Sequence, residues 1–218
     1  MKTVFLNHVR RQLALHELRE GTGRPLLILH GLGQRSPATA PSATEGWTGP
    51  VLGLDFTGHG DSTLPSGGGY TCEALMSDAD AAIAEIGPAT LFGYGLGAYV
   101  GLLLFGSRPR EVRGLVIADG PGFDGGGSRP TSSKLLHVPQ DNALDRTPDP
   151  WALLELASDI RPPDYAADHV QQVEALAEME KAVAVTSIGR PEWLEAAMRS
   201  DVVFESDIAT ALSIFCPL

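Results

Sequence analysis

The sequence predicts an α/β fold, a doubly wound, mostly parallel sheet of about eight strands with a reduced helical cap. It reads as a single domain over residues 1–218, with 124–180 as a short loop-plus-helix insertion forming the cap. Three observations predict this. Short continuous apolar runs such as Leu26–Leu29 end in glycine, the pattern of strands buried on both faces of a parallel sheet. Segments of helical period alternate with them, which implies crossover connections. At the centre lies Ala89–Phe105, an apolar strand, a glycine turn at Gly93, Gly95 and Gly97, and an apolar helix. With 218 residues, 43% of them hydrophobic and 20% charged, one sizeable core is expected.

Taken in order, Thr3–Leu6 and Gln12–Leu18 alternate apolar and polar residues about Arg10 and Arg11, a β-hairpin at the sheet's edge. Arg24 and Pro25 lead into the Leu26–Leu29 strand, which closes on His30, Gly31, Leu32 and Gly33. Ser36–Trp47 is rich in Pro, Ala, Ser and Thr without clear periodicity, so an irregular or barely helical connection is expected. Pro50–Phe56 is the next strand. Thr71 caps a helix whose Leu75, Ala79, Ala82, Ile83 and Ile86 recur at helical spacing until Gly87 and Pro88 stop it. After the central helix, Ser107–Arg110 break the chain, and Val112–Asp119 forms a strand ending in Gly120, Pro121 and Gly122. Phe123–Pro150 reads as an extended loop. Helical pattern returns at Trp151–Ile160 and Tyr165–Glu180. A strand at Ala182–Ile188, a helix at Pro191–Met198, a short strand at Asp201–Glu205 and a helix at Ile208–Phe215 complete the sheet.

Three motifs carry a resemblance. Gly93 and Gly97 frame a tight strand-to-helix turn at Gly95; His30 and Gly31 end a buried strand; Asp55, Gly58, His59, Gly60 and Ser62 follow the next one as Asp-x-x-Gly-His-Gly-x-Ser. Together they resemble the α/β-hydrolase family. That family writes the turn as Gly-x-Ser-x-Gly, with the serine presented above the sheet. Here Gly95 holds the nucleophile's place. The resemblance also implies an acid after the Ala182–Ile188 strand and a histidine after Asp201–Glu205. The residues there are Gly189, Arg190 and Pro191, and then Glu205, Ser206 and Asp207. Because the serine mechanism needs all three groups, the resemblance implies a degenerate triad. The expectation is a non-hydrolytic small-ligand-binding or interaction protein, a pseudoenzyme. The alternative is an enzyme, an esterase, other hydrolase or lyase, using an unconventional site around His30, Asp119 and the oxyanion hole.

The resemblance implies that the Leu32 and Leu96 N–H groups converge as an oxyanion hole, with Gly95 leaving room for a small neutral or anionic ligand above them. Tyr94 and His30 join the expected ligand-binding set, and Tyr99, Phe123 and Trp151 are candidate lining residues. The catalytic candidates are His30, whose expected role is to bond neighbouring backbone, and Asp119, whose Asp-Gly-Pro-Gly context favours capping a turn. His59 and Asp61 read as turn formers, His137 and His169 as surface residues, and Ser36 and Ser62 lack a local activating partner. The glycine spacing at 93–97 fits a dinucleotide motif only if Ala98 is read as its last position, and no acidic residue ends a strand at the right distance. No cofactor is expected. The two cysteines, Cys72 and Cys216, are isolated from each other and from histidine, so no metal or disulfide framework is indicated. A balance of 16 basic and 27 acidic residues, net −11, argues against nucleic-acid or membrane partners. The N-terminus lacks a signal-peptide core and no run is long enough to span a bilayer, so the expected location is cytoplasmic. A homo-oligomer is compatible with the sequence.

Overall fold

Alternation about Arg10 and Arg11 produces the edge hairpin. β1 (Lys2–His8) pairs antiparallel with β2 (Arg11–Arg19), placing Thr3 opposite His16. This is a computed structural model that describes residues 2–129 and 147–216. β2 runs antiparallel to β4 (Val51–Leu54), which pairs in parallel with β3 (Leu26–Leu29). The parallel sheet continues through β5 (Ala89–Tyr94), β6 (Val112–Ala118), β7 (Val183–Val185) and β8 (Val203–Glu205). The eight strands lie in the order β1-β2-β4-β3-β5-β6-β7-β8. All four residues of β3 are buried, as a central parallel strand requires.

One face carries most of the core. Leu27, Leu29, Leu91, Leu115 and Val183 meet α1 (Cys72–Ile86), α2 (Leu96–Ser107), α4 (Pro163–Leu176) and α5 (Glu192–Ala197). The Thr71 side chain caps α1 by accepting the Ala74 N–H, and Gly87, at φ 79°, ends it. α2 is buried on every side, being apolar all round. On the opposite face Leu26, Ile28, Phe92 and Val116 form a smaller core with Trp47 and α6 (Ile208–Phe215). The connection from β3 to β4 there contains a single 3-10 turn, Ser42–Thr44.

The 124–180 segment differs from the expected cap. Only α3 (Pro150–Ser158) sits over the turns that follow β3 and β4, its Glu155 accepting the Gly69 and Tyr70 N–H groups. α4 belongs to the sheet-covering layer, because Ala166, Val170 and Val173 are drawn into the main core and Gly106 allows His169 to approach α2. Most of the expected loop, including His137, lies outside the described residues. β7 is shorter than the apolar run suggests: Thr186 still bonds Ile117 O through its N–H and hydroxyl, and the chain then leaves the sheet at Ile188, which is 90% exposed. Among the described residues no helix is long and apolar enough to cross a membrane.

Backbones pack closely where β3 meets α2. A Cβ on Gly97 would stand 2.3 Å from the Leu29 carbonyl oxygen, a backbone atom without room to yield. Gly97→Ala is therefore expected to lower the unfolding free energy by about 1–3 kcal/mol. Gly46→Ala, whose Cβ would meet nothing within 4 Å, should stay close to the parent. Urea midpoints of the two variants measure the contrast, and equal midpoints would refute the backbone clash.

Candidate functional site

β5 enters α2 through Gly95 at φ 54°, ψ −115°, a strained turn that glycine tolerates. The flanking glycines let the two elements touch: a Cβ on Gly93 would lie 2.5 Å from Ala98 Cα. The Leu32 and Leu96 N–H groups converge. They converge on an atom of the chain itself, because both donate to the carbonyl oxygen of Pro121, at 2.9 and 3.0 Å. The room expected above Gly95 is thus filled. A Cβ there would stand 2.2 Å from Pro121 O and 2.5 Å from Gly120 C. The correction has a simple cause, since a buried N–H needs an acceptor and the turn after β6 supplies one.

His30 and His59 hold the neighbouring turns. His30 Nδ1 donates to Gly31 O at 2.8 Å while Nε2 accepts the Phe56 N–H at 3.2 Å. His59 Nδ1 donates to Thr57 O and Nε2 accepts the Gly33 N–H, each at 3.2 Å. These bonds require the neutral Nδ1–H tautomer of both rings. Burial, followed by the nearby His59, drives the His30 pKa down to about 3, and burial lowers that of His59. Asp119 accepts the N–H groups of Ile188 and Gly189, at 2.6 and 3.0 Å, and so fastens the turn after β7 to the end of β6. It caps a turn, though not the one directly following it. His30 and Asp119 spend their polar atoms on separate backbone segments, and the structure does not join them.

At the two C-terminal turns Arg190 donates to Glu205 Oε1 at 2.6 Å, an exposed pair, and also to Ser187 O. Asp207 caps α6 by accepting the Thr210 N–H. Of the remaining described histidines, His8 bonds Ser77 and His169 bonds the Tyr165 carbonyl. The expected lining aromatics disperse. Tyr99 and Phe123 pack on Trp193 in the core, Trp151 lies against that core, and Tyr94 joins Phe92 on the other face of the sheet.

A second constellation escaped the sequence reading. Asp55, fully buried, accepts the Ser36 N–H at 2.7 Å, the Asp61 N–H at 2.8 Å and His16 Nε2 at 3.0 Å. His16 Nδ1 in turn meets Thr3 Oγ1 at 2.8 Å. Burial raises the Asp55 pKa, but the two N–H donors and His16 outweigh it and hold the carboxyl below its usual range. The only signal for this chain was the hairpin register that sets Thr3 opposite His16. His16, Asp55 and Asp61 bring ligand-type atoms within 4.8 Å of one another. They do not suit a cation, because Asp55 Oδ2 already takes two hydrogens and Asp61 is paired with Arg35 at 3.0 Å. Beside His16 opens a cavity of about 760 Å³ that also touches His30 and Tyr94.

Against known proteins, the sequence model described as the alpha/beta hydrolase family matches residues 26–208. An (E)-2-((N-methylformamido)methylene)succinate hydrolase of Acinetobacter baylyi is 29% identical over 127 residues, covering 55% of this chain and 45% of that protein. The chain thus spans about half the length of that curated relative. Among solved structures, an N-formylmaleamic acid deformylase from Pseudomonas putida S16 superposes with a TM-score of 0.65 at 14% identity, covering 94% of this chain and 92% of that one. A haloalkane dehalogenase from Agrobacterium tumefaciens C58 gives 0.62 at 18%, over 94% and 87%. A thermophilic esterase from Thermogutta terrifontis gives 0.61 at 17%, over 94% and 89%. At these identities the solved structures speak for the fold.

The two buried imidazoles impose a pH dependence. Their folded pKa values lie below the unfolded value near 6.5, so in acid the unfolded chain binds protons that the folded chain refuses. The stability tied to this is fully present above pH about 6.5 and is lost as the pH falls. Between pH 7.5 and pH 5.0 His30 alone is expected to remove about 2 kcal/mol, read from urea midpoints. His30→Gln should flatten that slope. An unchanged slope would mean that His30 is not held neutral.

Proposed function

The chain belongs to the alpha/beta hydrolase family, and from that membership we propose that its elbow no longer performs acyl transfer and that the protein is a non-hydrolytic, ligand-binding or interaction member. One observation carries this reading, the Pro121 carbonyl seated on the Leu32 and Leu96 N–H groups. Acyl transfer needs a nucleophile, a base in reach of it, and donors free to receive a developing oxyanion. At this elbow the nucleophile's place is Gly95, and the nearby His30 has both nitrogens bonded to backbone. The donors already hold an oxygen, which a substrate would have to expel from a buried two-donor site. An internal carbonyl serves the fold there as a bound anion would serve a reaction.

A second reading, that the chain is itself a hydrolase-superfamily enzyme, is favoured by the comparisons, because the relatives named above are hydrolases, a deformylase, a dehalogenase and an esterase. The His30–Asp119 form of it lacks free polar atoms. Thr3, His16 and Asp55 instead stand in the order hydroxyl, imidazole, carboxylate, the order in which a nucleophile is activated. In that reaction Thr3 Oγ1 forms the bond to a substrate carbonyl carbon while its proton passes to His16 Nδ1. The leaving group departs with that proton, and water then hydrolyses the threonyl ester. Both readings place no chemistry at Gly95.

A fluorophosphonate probe and a panel of p-nitrophenyl esters separate the two. For the non-hydrolytic reading, the native chain is expected to stay unlabelled and to release p-nitrophenol at the buffer rate. Gly95→Ser should remain inactive and lose about 1–3 kcal/mol of stability, because its Cβ meets Pro121 O. Labelling at the elbow, or efficient turnover by that single variant, would overturn it. The enzymatic reading expects turnover that falls at least about a hundredfold in Thr3→Ala and in His16→Gln and is untouched by Gly46→Ala. Turnover indifferent to Thr3 would remove that constellation from consideration.

A further inference from the structure

The open side of the sheet, away from the elbow helix, contains a built cleft. The strand registers set His16 opposite Gly53, Gly53 opposite Ile28 and Ile28 opposite Phe92, one row across four strands. Over this row the β3–β4 connection passes with a single 3-10 turn where a longer helix would lie flat. Gly53 lets that connection descend: a Cβ there would stand 2.9 Å from Ser36 Cβ. The Ser36 N–H is fastened to Asp55. Farther along, the roof stays clear of the sheet and leaves about 760 Å³, with Ile28, His30 and Tyr94 on the floor and Gln34, Pro37 and Pro41 above. That volume falls in the range of small-molecule pockets.

The polar atoms of the cleft sort into spent and unspent. Both nitrogens of His16 and of His30 are engaged, and Gln34 Oε1 takes the Gly31 N–H at 3.1 Å. What remains among the described residues is the Gln34 amide nitrogen, the Arg35 guanidinium, the buried Ser36 hydroxyl and the Tyr94 hydroxyl, the last two without a hydrogen-bond partner. Each can donate, and two of the four can only donate. Burial pushes the Tyr94 phenol up to about 12, so at neutral pH it keeps its proton. Among the described residues Arg35 is tied only to Asp61, in a pair whose side chains are 57% and 49% exposed. Such a pair is screened and weak, so Arg35 can exchange one carboxylate for another at little cost.

We infer that this cleft binds a small monocarboxylate with an aromatic or aliphatic body, its carboxylate held by Arg35 and Tyr94 and its body laid between Ile28 and the Pro37–Pro41 roof. The site lies on the face of the sheet opposite α2 and does not depend on how the elbow is read. A sealed elbow and an occupied cleft are compatible, and either can fail without the other.

Phenylacetate is the probe, with benzyl alcohol as its neutral counterpart, titrated calorimetrically into the whole chain. Phenylacetate is expected to bind with one site per chain and to raise the melting temperature, and benzyl alcohol to bind at least about tenfold more weakly. Arg35→Gln should weaken phenylacetate about tenfold or more, and Tyr94→Phe by a smaller factor. The melting temperature of unliganded Arg35→Gln should stay near the parent's, since its side chain is exposed. Ala38→Trp, a substitution at an exposed position on the cleft, should abolish binding by filling the space. No binding at millimolar phenylacetate would overturn the inference. So would equal affinity for the alcohol, or binding that neither Arg35→Gln nor Ala38→Trp weakens.

Discussion

The Pro121 carbonyl oxygen accepts two hydrogen bonds, from Leu32 after β3 and from Leu96 at the start of α2, and this double acceptance ties three strand ends into one unit. Without it the N–H of fully buried Leu96 would lose its acceptor, at a cost of about 1–3 kcal/mol, and the partly buried Leu32 would lose its own. With it the turns after β3, β5 and β6 become mutually dependent. The Gly120 and Pro121 backbone can approach only because residue 95 has no side chain. Glycine at 95 and the inward carbonyl at 121 are therefore two halves of one packing solution. Replacing one half leaves the other in its way.

The same logic governs the other strand ends. His30 and His59 each bridge the turn after β3 to the turn after β4, Asp55 gathers the Ser36 and Asp61 N–H groups, and Asp119 draws in those of Ile188 and Gly189. Loops at the carboxyl ends of a parallel sheet carry many N–H groups that no ladder satisfies. The buried His30, His59 and Asp55 side chains provide acceptors, and the exposed Asp119 does the same at the end of β6. Strong pKa perturbation is often a mark of catalysis. Here burial accounts for the lowered imidazole values, and the Ser36 and Asp61 N–H donors with His16 account for the lowered Asp55 value.

The order of strands and helices was legible in the sequence because continuous apolar runs and glycine stops report burial directly. Leu26–Leu29 and Ala89–Tyr94 lie where the pattern put them. The run Ala182–Ile188 overstated β7, since apolar character alone does not say that Ile188 is 90% exposed on a turn held by Asp119. The site was less legible for a related reason. Gly120, Pro121 and Gly122 specify a turn, but not where its middle carbonyl points. His16 and Asp55 are far apart in the chain and meet only because β2 pairs with β4 in the register Leu15 opposite Leu54. Tyr94 was named as a ligand contact, yet its strand parity turns it to the opposite face from the one intended.

That parity matters because the two faces of the sheet are finished differently. On one, four helices close over the strands and the Gly120–Pro121 backbone stands against Gly95. On the other, the segment between β3 and β4 holds its shape with no more helix than the Ser42–Thr44 3-10 turn. Arg19 donates to the Thr44 and Trp47 carbonyls at 2.8 and 2.6 Å, and the Trp47 indole donates to Arg24 O. These side-chain bonds pin the far end of the loop, and Asp55 pins its near end at the Ser36 N–H, so it does not settle onto Ile28 and Tyr94. A void over apolar strands persists only when its walls cannot collapse. Here the walls are held by Arg19, Asp55 and the 3-10 turn, so the cleft is preformed, and a ligand entering it would not have to order the roof.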